Sequence, residues 1–426
     1  MATTTRLARL RSADALVLTA LLWFLAKVLR YAFPPLFGTF RGTFGVSNAA
    51  LGATFSALML AYAAMQFPAG AFADRLGSVR VIVAGTLVAA FGSLWVALAP
   101  SFAAFESLPL VPSPAFVALV LGVVLIGLGT GVHKTVAVRL LSAIHPERTG
   151  RALGVLDTVG TFGGVVAPAA VVALSGAADW RALFLASGVV GLLLIGLFAR
   201  RVPRRLPAGN DATDGAADRP WREYAARFAD RRFAAFVAAT VFFSVAYNGV
   251  VAFLPLFLTD GAGLSEGFAG MLYSGLFAVS VVQLGTGDLS DRLGRLPVMA
   301  AMLALATVGL GLLLVATTPL FIAAGVLLFG VGGHGYRPVR GSYLVAVIPR
   351  ADTGGTLGIV RTALMVVGAI SPAVVGLLSD LAGFGAAFAA LLVAACLSVA
   401  GVAVLLADRM LREPAGSVSS EADGRG

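Results

Sequence analysis

The sequence predicts an all-α membrane protein with twelve transmembrane helices arranged in two pseudo-symmetric six-helix bundles. Of its 426 residues, 59% are hydrophobic and 12% are charged, whereas about a quarter of a typical soluble domain is charged. Twelve apolar runs are long enough to cross a bilayer, which takes about 20 apolar residues for each helix. One motif also occurs once in each half of the chain. Lipid is therefore the solvent of most of this chain, and the helices form two related sets.

The twelve apolar runs follow one another with mostly short polar connections. We predict helices near residues 14–37, 48–70, 80–99, 115–138, 152–175, 182–200, 233–258, 268–287, 297–316, 319–344, 355–378 and 383–407. The first run follows Arg6, Arg9 and Arg11, as the apolar part of a secretory signal peptide would. Lys27 and Arg30 stand where such a peptide needs small residues for cleavage, so we predict that this run is kept as the first helix.

Matching segments recur in the same order in both halves. The segments Gly70–Gly77 and Gly287–Gly294 carry the same motif and close the second and eighth predicted helices. A glycine-rich segment that begins at Gly127 aligns in the same way with one that begins at Gly330. Collinear matches of this kind indicate an internal repeat.

Charge and composition divide the chain and orient it. We predict an N-terminal six-helix bundle over residues 1–200, a cytoplasmic linker over 201–232, a C-terminal six-helix bundle over 233–409 and a disordered cytoplasmic tail over 410–426. Most arginines lie on the side of the two termini when the helices alternate, and positive loops stay in the cytoplasm. We therefore predict a multi-pass protein of the cytoplasmic membrane with both termini inside. The net charge of +10 favours contact with anionic membrane lipids and does not indicate nucleic acid as a partner.

Several classes of function lack the residues that they need. Cys396 is the only cysteine, so no intrachain disulfide and no cysteine-based metal site can form. Neither of the two lysines, Lys27 and Lys134, follows the glycine of a phosphate-binding loop. The glycines from Gly127 to Gly131 lie inside a predicted helix, where small residues serve helix packing. We therefore predict no enzyme activity, no metal and no cofactor.

The motif Gly-x-x-x-Asp-Arg-x-Gly, placed between helices 2 and 3 and again between helices 8 and 9, resembles the signature of the major facilitator superfamily. The resemblance covers nearly the whole chain, although Ser78 and Val79 replace the family's basic pair in the first copy. It implies two bundles that rock around a central site and expose it to each side in turn. A carboxylate at a helix end can engage neighbouring groups in one state only. We therefore predict a gating role, with a static tight turn as the alternative, for Asp74, Arg75, Gly77, Asp291, Arg292 and Gly294.

Ionisable residues inside helices are costly and indicate a cavity or a partner. Lys27, Arg30 and Tyr31 share one face of the first helix by their spacing. The family resemblance implies that helices 4, 7 and 10 also line the cavity, and they contribute His133, Lys134, Tyr247, Asn248, His334 and Arg337. This substrate-binding set holds four fixed cations and no carboxylate, so it predicts a cavity that favours an anion. The alternatives are snorkelling of the helix 1 cations to the surface and an inner gate for the residues of helices 4 and 10.

Asp157 and Arg361 occupy the same repeat position on helices 5 and 11. We predict that they meet across the two halves and that Asp157 carries the coupled proton. A permanent buried ion pair is the alternative, and His133 or His334 could titrate in place of Asp157.

The predicted function is secondary active transport of a small organic anion, coupled to protons, by a monomer. An arginine after aromatic residues on helix 1 is similar to the organophosphate and organic-anion branches of the family, and the helix 4 histidine is similar to the fosmidomycin-resistance exporters. Drug-proton antiporters of the family carry an arginine where Val123 or Leu125 stands here. The alternatives are a proton-driven exporter of a drug or metabolite and a transport-inactive sensor or scaffold, which would not need Lys27 and Arg30 in lipid.

Overall fold

A computed structural model describes residues 2–105, 113–175, 179–206, 230–347 and 353–412, and the side chains of these except 2–12, 105, 175, 353–361, 409 and 412. The described elements are helical, and we number the helices α1 to α12. The first half contains α1 (Ala2–Tyr31, then Pro34–Leu36 and Phe37–Phe44), α2 (Asn48–Ala64 and Gln66–Leu76), α3 (Ser78–Leu98 and Ala99–Phe105), α4 (Pro114–Gly131 and His133–Ile144), α5 (Pro146–Arg148 and Thr149–Ser175) and α6 (Arg181–Arg201 and Val202–Arg205). The second half contains α7 (Arg231–Leu256 and Phe257–Gly261), α8 (Glu266–Ala278, Val279–Val282 and Gln283–Leu293), α9 (Arg295–Val315), α10 (Pro319–Val347), and α11 and α12, which share the run Thr353–Arg412.

The last helical run consists of two membrane-spanning helices. A straight helix of its 60 residues would be about 90 Å long, roughly three times the thickness of a hydrocarbon core. Gly383 interrupts the run with φ 80° and ψ 168°, so α11 ends and α12 begins there. Ten other helical segments in the described ranges are long and apolar enough to cross a membrane. The predicted fold class of twelve membrane-spanning helices is therefore confirmed.

Several helices extend beyond the predicted ends. The first continues through a short turn to Phe44, the sixth is helical as far as Arg205, and the last reaches Arg412. Hydropathy marks the part of a helix that lies in lipid, whereas hydrogen bonding carries the helix on into the polar interface. The rest of the predicted linker and tail, residues 207–229 and 413–426, lies outside the described residues.

The two copies of the duplicated motif fold into the same turn. Gly77 has φ 84° and ψ 145°, and Gly294 has φ 90° and ψ 149°. A positive φ with an extended ψ is open to glycine and strained for other residues. Each glycine reverses the chain between two antiparallel helices, α2 and α3 or α8 and α9. The internal repeat is therefore visible in the backbone as well as in the sequence.

The substitution Gly77→Ala is expected to lower the free energy of unfolding by about 1–3 kcal/mol, because alanine is strained at this φ and ψ. Gly70→Ala is the matched control from the same motif. A Cβ at Gly70 would have no neighbour within 4 Å, so this variant should keep wild-type stability or gain a little. Thermal unfolding of the detergent-solubilised proteins checks the difference, and equal stability of the two variants would contradict the strain argument.

Small residues let neighbouring helices approach closely. A Cβ at Gly122 of α4 would lie 3.1 Å from the Gly92 carbonyl oxygen of α3, and one at Gly131 would lie 2.7 Å from the Tyr62 carbonyl oxygen of α2. Such distances leave no room for a side chain. The glycine string of α4 therefore serves helix packing, as predicted.

Hydrogen bonds join the two halves at the end of the bundle opposite the chain termini, which we call the far end. The Asp380 carboxylate at the end of α11 accepts hydrogen bonds from the Asn48 and Ala49 backbone N–H groups at the start of α2, with distances of 3.1 and 2.7 Å. Deeper in the same contact, the Ser56 hydroxyl accepts from the Ala373 backbone N–H at 3.0 Å. The N-terminus of one helix is thus capped by a carboxylate from the other half.

An ion pair crosses between the halves at the same end, where Arg41 and Asp260 lie 2.6 Å apart. At the opposite end, which we call the terminus end, the pairs Asp14–Arg205, Asp74–Arg139 and Arg232–Asp408 each lie within one half. The pair Lys134–Asp157, deeper in the bundle and close to Lys27, also lies within one half. Among the described residues, the ion pair that joins the two halves therefore lies at the far end.

Candidate functional site

Arg30 is a buried cation with an unsatisfied side chain. It lies on α1 near the middle of the bundle, and 6% of its surface is exposed. Its guanidinium carbon lies 3.8 Å from the centre of the Tyr62 ring of α2, while its Nε and Nη2 atoms have no hydrogen-bond partner. A buried charge without a partner is costly. The Nε and Nη2 edge also has the fork geometry that binds two oxygens of one oxyanion, so this group is suited to hold an anion.

Lys27 and Tyr31 share the face of α1 that carries Arg30, as the spacing predicts. The Lys27 Nζ atom lies 5.0 Å from the centre of the Trp23 ring and 5.3 Å from the centre of the Tyr31 ring. Lys27 is half-buried and interacts electrostatically with Arg30 and, in the other half, with Arg337. The helix 1 cations therefore lie against aromatic rings inside the bundle, and buried Arg30 does not snorkel to the surface.

The second half contributes one further cation to this region. The Arg337 guanidinium of α10 lies 4.4 Å from the centre of the Tyr247 ring of α7, and no ion pair involves Arg337 within the described part of the chain. The Tyr247 hydroxyl is 3.5 Å from Nε2 of His334. The Asn248 amide instead donates to the Ser244 carbonyl of its own helix at 2.8 Å. Helices α7 and α10 thus bring their predicted residues together, except that Asn248 bonds locally.

An aromatic contact joins the two halves between these cations. The rings of Tyr31 on α1 and Phe277 on α8 have centres 4.5 Å apart, and Phe277 lies 6.0 Å from the His334 ring. Sequence reasoning did not select Trp23, Tyr62 or Phe277. Trp23 precedes Lys27 by four residues, and this helical spacing was an available signal. Tyr62 and Phe277 lie on other helices, and nothing in the sequence pairs them with the cations.

His133 faces the interior of the first half, and its predicted substrate contact stays a prediction. Its Nε2 atom lies 2.9 Å from the Thr86 hydroxyl of α3, its side chain is buried, and it interacts electrostatically with Arg30. Its neighbour Lys134 points about 100° away from it around the helix. Tyr336, which matches His133 in the repeat, also points inward and lies 3.0 Å from the Thr240 hydroxyl.

Asp157 pairs with Lys134 of α4, in its own half. The Arg361 side chain lies outside the described residues, so the pairing of Asp157 with Arg361 stays a prediction. The repeat matches Lys134 with Arg337, and it matches Asp157 with Arg361. At the position where the first half has the carboxylate of Asp157, the second half therefore has the cation of Arg361. Because Asp157 neutralises Lys134, the predicted set of four unpaired cations becomes three: Lys27, Arg30 and Arg337.

The motif residues lie at the terminus end, away from the cation cluster. Asp74 pairs with Arg139 of α4. Asp291 and Gly294 line a cavity of about 400 Å³ together with Arg232, Arg295, Tyr343 and others. Arg75 and Arg292 are exposed. The predicted gating role of these residues therefore stays a prediction.

A family model described as Major Facilitator Superfamily matches residues 19–286 and 275–425. The chain is 32% identical over 177 residues to a multidrug resistance protein B homolog of Mycobacterium tuberculosis, covering 41% of this chain and 30% of that protein. It is 28% identical over 187 residues to a probable sulfoacetate transporter of Cupriavidus necator, covering 43% of this chain and 40% of that protein. The chain therefore matches less than half the length of these two relatives.

One similar solved structure is that of a bacterial homolog of the human lysosomal transporter Spinster, in an inward-facing and occupied conformation. The TM-score is 0.73 at 17% sequence identity, covering 94% of this chain and 96% of that chain. At this level of identity the similarity shows the fold alone, in which two six-helix bundles surround a central region.

Proposed function

Since the chain belongs to the major facilitator superfamily, we propose that it is a secondary active transporter of a small organic anion, driven by protons. Membership of the family and the apolar helices make it a multi-pass membrane transporter and not an enzyme. The observation that supports an anionic substrate is the environment of Arg30, whose buried Nε and Nη2 atoms have no hydrogen-bond partner. An oxyanion bound there would satisfy both donors and neutralise the charge.

The charges around Arg30 also support an anionic substrate. Lys27 and Arg337 interact electrostatically across the two halves, and the nearby Lys134 is already neutralised by Asp157. In a low-dielectric site, unopposed cations attract an anion and disfavour a neutral or cationic substrate. The similar protein of Cupriavidus necator is named for sulfoacetate, an organic anion.

The contacts at the two ends support alternating access. We place the terminus end in the cytoplasm because it carries most of the arginines. The far end, which Asp380 and the Arg41–Asp260 pair hold together, then faces outward. The conformation described here is closed to the outside, and the substrate would enter when these contacts break and the halves rock.

Asp157 supports proton coupling. Its carboxylate pairs with Lys134 and interacts electrostatically with Lys27, so it occupies the region into which the substrate anion must come. A negative Asp157 would repel that anion, whereas a protonated Asp157 would release Lys134 to it. Anion and proton would therefore bind together, which is the requirement for symport.

Uptake into proteoliposomes tests this proposal. Labelled organic carboxylates are offered with and without a gradient that is acidic outside. The wild-type protein is expected to accumulate one or more of them above the outside concentration when the gradient is present. Asp157→Asn is expected to equilibrate the anion but to lose accumulation, because an amide does not take up or release a proton in this pH range. Asp179→Asn, which removes a carboxylate at the far end that pairs with Arg181 in the same half, should behave as wild type.

Two outcomes would contradict the proposal. Accumulation by Asp157→Asn at the wild-type level would remove Asp157 from the coupling mechanism. Transport of a neutral or cationic drug with no anion uptake would overturn the proposal that the substrate is an anion.

The second candidate function, proton-driven export of a drug or metabolite, is supported by the similarity to a multidrug resistance protein. Anion efflux driven by an opposing proton gradient would favour it.

A further inference from the structure

We infer that the transported anion carries an aromatic body, so that the substrates are aromatic carboxylates. The inference rests on the proposed anion transport and narrows its substrate class. Each of the three unpaired cations lies against an aromatic ring: Lys27 against Trp23 and Tyr31, Arg30 against Tyr62, and Arg337 against Tyr247. A carboxylate held by these cations would therefore have aromatic surfaces on every side.

The rings form a continuous path between the cations of the two halves. The distance between ring centres is 4.5 Å for Tyr31 and Phe277, 6.0 Å for Phe277 and His334, and 5.9 Å for His334 and Tyr247. Phe329 stacks on Tyr247 at 6.1 Å with an interplanar angle of 16°. Between Arg30 and Arg337 the protein therefore offers ring faces and edges, which prefer a planar apolar partner.

Several hydroxyl and amide groups nearby are bound within the protein. The Tyr273 hydroxyl donates to the Val251 carbonyl at 2.7 Å, and the Ser244 hydroxyl donates to the Leu364 carbonyl at 3.0 Å. The Asn248 amide donates to Ser244, whereas Nδ1 of His334 has no partner. A sugar phosphate or a compound with several hydroxyls would bury more hydroxyls against the rings than these groups can bind, at a cost that an apolar body avoids.

The contact between Tyr31 and Phe277 also spans the two halves, because α1 belongs to the first and α8 to the second. Both rings are buried in the present conformation, so a substrate ring would have to enter between them. A ring placed there would touch both halves at once. Differential contact of this kind is what lets a ligand shift the equilibrium between two conformations.

The test uses four labelled anions with wild-type protein in proteoliposomes: benzoate, cyclohexanecarboxylate, acetate and glycerol 3-phosphate. We expect kcat/KM for benzoate to exceed that for acetate by at least about 10-fold, because the ring buries apolar area. Benzoate should exceed cyclohexanecarboxylate by about 2- to 10-fold, the contribution of ring geometry beyond area. Glycerol 3-phosphate should be the poorest substrate. Because this panel uses the unmodified chain, it does not depend on a variant that folds.

Phe277→Leu provides a second readout. It keeps an apolar side chain but removes the ring, so it is expected to lower kcat/KM for benzoate by about 2- to 10-fold more than kcat/KM for acetate. Phe388→Leu is the matched control, because Phe388 stacks on Phe257 at 4.1 Å, away from the cations. Equal losses for benzoate and acetate in Phe277→Leu would overturn the specificity role of the ring.

The panel separates failure of this inference from failure of the proposed function. Arg30-dependent uptake of acetate or glycerol 3-phosphate at a kcat/KM equal to that of benzoate would overturn the aromatic class and leave anion transport standing. Absence of uptake for all four anions, together with transport of a cationic drug, would overturn both.

Discussion

Replacing Arg30 by alanine is expected to lower kcat/KM for the transported anion by about 30- to 4000-fold. Removing one partner of a buried, hydrogen-bonded charge pair costs roughly 2–5 kcal/mol, and each 1.4 kcal/mol is a factor of about ten. Arg30→Lys keeps the charge but loses the planar fork, so it should fall between wild type and alanine. Initial rates of labelled benzoate uptake into proteoliposomes measure the effect.

Arg30→Ala is also expected to raise the melting temperature of the substrate-free protein. In the substrate-free protein, Arg30 keeps two donors buried without partners, and removing an uncompensated buried charge relieves that cost. Arg181→Ala is the control, since it removes a half-buried arginine that has its carboxylate partner, Asp179, beside it at the far end. It should change neither transport nor the melting temperature appreciably. Wild-type uptake by Arg30→Ala would contradict the placement of Arg30 in the binding site.

The second large effect is expected from Asp380→Ala, which should favour opening of the far end. The Asp380 carboxylate accepts from the Asn48 and Ala49 backbone N–H groups at the start of α2, and its side chain is exposed. Loss of a helix N-cap costs about 0.5–2 kcal/mol, which would shift the equilibrium between closed and open far ends by roughly 2- to 30-fold. The exposed Arg41–Asp260 pair contributes about 1 kcal/mol or less, so it cannot compensate.

Cysteine labelling measures that shift. The reporter is Ser56→Cys in a Cys396→Ser background, because Ser56 is buried in the contact between the halves. A membrane-impermeant maleimide applied from the far end should label it about 2- to 30-fold faster when Asp380→Ala is added. Asp179→Ala removes a far-end carboxylate whose partner lies in the same half and should leave labelling unchanged. Equal labelling in all three proteins would show that Asp380 does not hold the far end shut.

The candidate site was predictable only in part. Lys27, Arg30 and Tyr31 lie together because they share one helix, and a helix fixes the directions of its own side chains. The sequence predicts His133 in the cavity because it is an ionisable residue inside helix 4, but its contact with the Thr86 hydroxyl depends on how α3 packs against α4. The ring on which Arg30 lies belongs to another helix, so its position depends on how the two helices pack.

What the sequence determined by itself was local or repetitive. Apolar runs defined the membrane-spanning helices, the duplicated motif defined two related halves, and the turns at Gly77 and Gly294 followed from glycine at positions with positive φ. These features depend on consecutive residues and on energies of transfer to lipid that each segment carries alone.

Only the tertiary structure decided the partners. It paired Asp157 with Lys134, placed the ring of Tyr62 on Arg30 and made Asp380 the cap of α2. Each residue along a helix turns its side chain by about 100°, so small differences in helix rotation and packing exchange one neighbour for another. Hydropathy is unaffected by that rotation. The sequence therefore identified which charges lie in the membrane, and the packing of the helices determined which of them remain free to bind an anion.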